Sequence, residues 1–162
     1  MNKISGDIVE NTWREMSVLS PLKYPKLVNK LSKEQPVILA YFLAVGDEFL
    51  NKDEQELLLY LGLVVWRVMS KGDTPIPQVT EKMVEEAEDK NIKMLEYLDG
   101  ESESGFIDTV ETIIENYNQP EVLQFVVEAL IEEDEEDDAN IREESIGMMM
   151  IYLKTVIDCF DN

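Results

Sequence analysis

The chain has 162 residues, 44% of them apolar, enough for one domain with a hydrophobic core and too many for a disordered chain. Fourteen Lys and Arg stand against 35 Asp and Glu, a net charge of −21. That sign argues against nucleic acid, whose phosphates need clustered basic side chains, and against anionic membrane surfaces.

Helical periodicity runs the length of the chain. Ile8, Val9, Thr12, Trp13, Met16 and Leu19 share one face of a first helix, and Tyr24, Leu27, Val28 and Leu31 one face of a short second. Ser32 reads as the start signal for a third helix that opens at Pro36, because proline is tolerated in a first turn, and that stops near Gly46. Asn51 or Asp53 caps a fourth helix, which continues to about Ser70 with Gly72 as its stop. Pro75 and Pro77 break any helix and make residues 72–79 the main connector. Its apolar members Ile76 and Val79 are expected to pack on the core rather than meet a partner.

Thr80 and Glu81 open a fifth helix, with Met83, Ala87, Met94, Leu95 and Leu98 turned inward. Residues 100–105 read as a loop, and Phe106 to Tyr117 as a sixth helix. Pro120 starts a seventh that runs to about Glu132, an acidic run follows to Asp138, and the last helix spans about Ala139 to Phe160. No alternating run with hairpin turn chemistry is present, so the expected fold is all-α, a single compact domain of about eight helices. Residues 57–69 and 146–160 are apolar on nearly all sides and must be surrounded, with Gly62 and Gly147 allowing close neighbours.

Two segments resemble each other. Gln35-Pro36-Val37-Ile38-Leu39 matches Gln119-Pro120-Glu121-Val122-Leu123 at an offset of 84 residues, and Gly62 matches Gly147 at 85. The pattern suggests two related helical-hairpin units, 1–71 and 80–162, joined by the connector 72–79, although apolar helices acquire such likeness cheaply.

Chemistry is harder to find. Histidine is absent, which removes Ser-His-Asp and Cys-His nucleophiles and His-bearing zinc or di-iron sites. The single Cys159 allows no intrachain disulfide, fits a reducing compartment, and lies on an apolar helix as core residues do. No glycine-rich phosphate loop occurs. Glu85 with Glu88 and Glu86 with Asp89 have the one-turn spacing of a magnesium-dependent pyrophosphohydrolase, but a solvated charged helix has it too. Mimicry of nucleic acid would need the acids gathered on one rigid face, and they are spread over several segments.

The best metal candidate is the segment 99–111, where Asp99, Glu101, Glu103, Asp108 and Glu111 supply carboxylates around Gly105 and Ile107. With Gly105 as position 6 of an EF-hand loop, Ile107, Asp108 and Glu111 fall at positions 8, 9 and 12, while Gly100 falls at position 1 where an acid is wanted. A second acidic stretch starts at Asp134, 35 residues after Asp99, but has Ala139 at the glycine position and Ser145 in place of the bidentate Glu.

The sequence therefore points first to a non-enzymatic protein-interaction or adaptor domain in the cytoplasm, whose partner is another, basic protein. It carries no expectation of direct nucleic-acid or membrane binding. Calcium binding at 99–111 is the other reading. Trp13, Tyr24 and Phe49 are the candidates for a homodimer face or for the core.

Overall fold

A computed structural model describes residues 1–99, 103–132 and 139–162. They form eight helices and no strand: α1 (Gly6–Ser17), α2 (Tyr24–Glu34), α3 (Pro36–Phe49), α4 (Lys52–Met69), α5 (Glu81–Asp99), α6 (Glu103–Glu115), α7 (Pro120–Ile131) and α8 (Glu143–Phe160). The all-α expectation holds. No helix among the described residues is long and apolar enough to cross a membrane.

The two helices without a polar face are the centre, as their composition requires. In α4, Leu58 and every residue from Leu61 to Trp66 are buried, and in α8 so is every residue from Met149 to Ile157. The two pack on each other; α1 and α3 lie against α4, while α5 and α7 lie against α8. A separate outer contact joins α2 to α3 and α6 to α7. Cys159 sits in this core, 2% exposed, and burial pushes its thiol up to about 12, with the neighbouring Asp158 charge adding to the shift. Both are features of a cysteine that packs in a core.

Several boundaries differ from the expected ones, each for a visible reason. Ser32 lies inside α2, and the residue that caps α3 is Gln35. Gly46 does not end α3, which continues one turn to Phe49; Gly46 instead admits the Gln55 side chain, whose Cγ would be 2.9 Å from an added Cβ. Asn51, not Asp53, caps α4: its side chain accepts from the Glu54 N–H while Glu54 accepts from the Asn51 N–H, a reciprocal box that satisfies two otherwise orphaned donors. Gly72 takes no left-handed conformation; Met1 packs against it, its sulfur 2.5 Å from where a Cβ would stand.

The last helix starts at Glu143, later than expected. Residues just before it are captured by the first turn of α4. Asn51 Nδ2 donates to the Asn140 carbonyl at 2.9 Å, the Asn140 N–H donates to Asp53 at 2.9 Å, and the Arg142 N–H donates to Glu54 at 2.9 Å. Backbone groups held by side chains in this way cannot also close a helical turn. Of the aromatic candidates for a dimer face, Trp13 and Tyr24 pack against the core and Phe49 is exposed. Val79 is buried and Ile76 partly so, which places this part of the connector on the core.

Candidate functional site

Two buried polar assemblies interrupt the apolar interior. The first joins α4 to the start of α8. Glu54 is fully buried and accepts from Arg142 Nη2 at 2.7 Å and from the Arg142 N–H at 2.9 Å, while Arg142 Nη2 also reaches the Phe49 carbonyl at 2.8 Å. Burial alone would raise the Glu54 carboxyl; hydrogen bonds from Arg142, the Asn51 backbone and the Ser145 hydroxyl outweigh it and hold the group down to about 2.

The second assembly ties α5 and α8 to the residues that follow α6. Lys154 Nζ donates to Asn91 Oδ1 at 2.8 Å and to Asp158 at 3.0 Å, and lies 4.7 Å from the centre of the Tyr117 ring. Asn91 Nδ2 donates in turn to Thr155 and Asp158, and the Tyr117 hydroxyl donates to Asp158. Burial, then the Asp158 charge, push the Tyr117 hydroxyl well above the ordinary range, so it stays protonated and keeps donating. Among the described residues every buried side-chain polar atom has a partner. A satisfied network of this kind specifies how α5 and α8 pack.

The surface offers something different. Between α6, α7 and α8 runs a groove of 360 Å³. Its α6 wall carries Ile107, Val110, Glu111, Ile114 and Glu115, positions that repeat every three or four residues and so fall on one helix face. The α7 wall carries Gln124, Val127, Glu128, Leu130 and Ile131; Ile146, Gly147 and Met150 of α8 form the floor. Ile107 is 50% exposed and Ile131 56% exposed at its edges. Among the described residues its charged lining is Glu111, Glu115 and Glu128, with no Lys or Arg.

On the other side of α7 a second groove of 280 Å³ is lined by Val9, Glu10 and Trp13 of α1 and by Glu121, Phe125, Glu128 and Ala129 of α7, followed by Glu132. Trp13 and Phe125 stand with ring centres 5.2 Å apart. Gln124 and Glu128 belong to both grooves and hydrogen-bond each other at 2.9 Å, so α7 is a ridge between two acid-edged channels.

The carboxylates singled out in the sequence are distributed as follows. Asp99 ends α5 and Glu103 begins α6, but their side chains, and all of Glu101, lie outside the described residues, as do Asp134, Glu136 and Asp138. Asp108 and Glu111 are exposed and one turn apart on α6. The loop expected over 100–105 does not extend to Gly105: α6 begins at Glu103 and already includes Gly105, whose carbonyl accepts from the Thr109 hydroxyl as a helical residue's does. Gly105 therefore does not make the sharp turn that position 6 of an EF-hand loop requires. Ser145 is buried in the first turn of α8. On α5, Glu88 accepts from the Tyr41 hydroxyl at 2.5 Å, and Glu86 pairs with Lys82 at 3.8 Å. Among the described residues no three carboxylate or thiol side chains converge as a metal site requires.

Reading residues along the chain missed the groove because its three walls come from separate segments. The available signal was the apolar stripe of α6, which includes Ile107, Val110 and Ile114 of the groove wall. No family model matches the chain, and neither the curated proteins nor the solved structures contain a match to it.

Proposed function

We propose that this protein is a non-enzymatic cytoplasmic interaction module, and that the groove between α6, α7 and α8 docks an amphipathic helix bearing Lys or Arg from a partner protein. The observation that carries this reading is the groove's composition: an apolar floor and walls bordered by Glu111, Glu115 and Glu128, with no basic residue among the described ones. Helix-in-groove recognition uses apolar anchors at helical spacing for affinity. The surrounding carboxylates, on a chain of net charge −21, select the sign of the flanking residues and speed encounter. The groove lies at the lower end of the roughly 300–1,000 Å³ typical of ligand sites, suited to a few side chains rather than a large cofactor.

The test uses a fluorescent amphipathic peptide of leucine and lysine, with its leucine–glutamate counterpart as control, followed by anisotropy. Binding of the lysine peptide tighter than about 10 µM is expected, weakening as salt rises from about 50 to about 300 mM. Ile131→Asp or Ile107→Asp should weaken it by roughly tenfold or more, because each puts a charge where an anchor must lie. Equal affinity for both peptides, or no loss in the aspartate variants, would refute the reading. A second copy of the chain as occupant would show itself as concentration-dependent dimerisation in sedimentation, abolished by the same variants.

The other reading is calcium binding through Asp99, Glu101, Glu103, Asp108 and Glu111. Its support is the exposed pair Asp108 and Glu111, one turn apart. A melting temperature raised by calcium and lowered by chelator would favour it; indifference to calcium would leave the peptide-docking reading.

A further inference from the structure

The two Gln-Pro helix starts share more than sequence. Gln35 and Gln119 cap α3 and α7 in nearly the same backbone conformation, φ −138° and ψ 64° for the first and φ −123° and ψ 67° for the second. Both are buried, at 4% and 0% exposure. Each uses its side-chain amide to hold a distant backbone segment. Gln35 Nε2 donates to the Pro77 carbonyl at 2.9 Å, and the Val79 N–H donates to Gln35 Oε1 at 3.0 Å. Gln119 Nε2 donates to the Asn2 carbonyl at 3.0 Å, and the Ile4 N–H donates to Gln119 Oε1 at 2.9 Å. In both cases the amide takes the carbonyl of one residue and the N–H of the residue two further on, as a neighbouring peptide unit would.

The held segments correspond as well. Asn2-Lys3-Ile4-Ser5 and Pro77-Gln78-Val79-Thr80 each put a buried β-branched residue before a hydroxyl cap. Ser5 Oγ accepts from the Ile8 N–H at 3.3 Å, and Thr80 Oγ1 accepts from the Met83 N–H at 3.2 Å. Val9 and Val84 follow at the same distance and are buried to the same degree. Hairpin packing alone demands none of this. The grips also cross over: Gln35 holds the segment that leads into α5, and Gln119 holds the one that leads into α1.

We infer that the chain is built of two related four-helix units, residues 2–69 and 77–160, locked together by reciprocal exchange of their lead-in segments, each gripped by the buried glutamine of the other unit. This moves residues 77–79 out of the connector and into the second unit. It adds two reciprocal grips to the α4–α8 packing and the Glu54–Arg142 pair that also join the units. Release at Gln119 would free the start of α1, which forms one wall of the Trp13–Phe125 groove.

Amide hydrogen exchange of the full-length protein, read by NMR, tests each grip at a single atom. In the unaltered protein the Ile4 and Val79 amides should exchange slower than those of the exposed Lys3 and Gln78 by about a hundredfold or more. Gln119→Ala should accelerate Ile4 and the first turn of α1 by about tenfold or more while leaving Val79 within about twofold; Gln35→Ala should do the reverse at Val79 and α5. The inference is overturned if Ile4 and Val79 in the unaltered protein exchange as fast as Lys3 and Gln78, or if only one grip responds to loss of its glutamine. Gln→Asn variants, which keep the amide but withdraw it by one methylene, give the same reading if an alanine variant does not fold.

Discussion

Gly62 and Gly147 occupy the two central helices, yet alanine should act on them with opposite sign. Gly62 lies on α4 under the ring of Phe42, which is 3% exposed; an added Cβ would stand 2.5 Å from Cε2 and 2.6 Å from Cζ. Ordinary carbon contacts are about 3.5 Å or more, so the ring would have to recede by roughly 1 Å within a close-packed interior. Overpacking of that kind costs about 1–3 kcal/mol, against about 1 kcal/mol gained in helix propensity. Gly62→Ala should thus lose up to about 2 kcal/mol, or up to roughly 4–8 °C in Tm for a domain of this length. At Gly147 the nearest atom, Leu95 Cδ1, would be 3.4 Å away, an ordinary contact. Gly147→Ala should therefore keep most of the propensity gain and raise stability by about 0.5–1 kcal/mol. Urea unfolding of both variants measures the pair, and Phe42→Leu in the Gly62→Ala background should recover part of the loss, with a coupling above about 0.5 kcal/mol. If Gly62→Ala stabilises the protein, or both variants shift the same way, the close approach of α3 to α4 at Phe42 is not what the glycine provides.

The Glu54–Arg142 pair predicts a pH signature. The Glu54 carboxyl ordinarily titrates at 4.5 and is held down to about 2, so its contribution is fully present above pH 4.5 and is lost as pH falls through the folded value. Glu54→Gln should cost on the order of 2 kcal/mol at pH 6, allowing for the partial exposure of Arg142. The gap between variant and parent in urea should close between about pH 5 and pH 2; a gap that widens on acidification would contradict the assignment. Lys154 makes a second case. Lys154→Met should destabilise by about 2–4 kcal/mol because Asp158 keeps its charge without the cation. Adding Asp158→Asn should cost less than the two single losses together, and strict additivity would mean the pair does not act as a unit.

The elements were legible in the sequence wherever a local signal was strong. Asn51 and Pro120 start their helices by short-range hydrogen bonding or by a fixed φ, and their effect reaches only a few residues. The unbroken apolar runs of α4 and α8 placed both at the centre because a helix without a polar face has nowhere else to go. Legibility failed where a distant partner took over. Residues 139–142 carry helix-compatible composition but are held by the first turn of α4 from nearly ninety positions earlier in the chain. The same holds for the candidate groove: no local pattern joins Glu111 and Glu115 of α6 to Glu128 of α7, and folding alone sets all three along one apolar channel.

Composition and periodicity by themselves determined the class of fold, the two buried helices, the sign of the surface and the absence of imidazole chemistry, all properties that depend on which residues are present and how they recur. Tertiary structure alone decided which central glycine a neighbouring ring crowds, which glutamines grip the backbone, and which carboxylates border a common groove. Those outcomes depend on contacts between residues far apart in the chain, and one helix's pattern carries no record of what its neighbour presents to it.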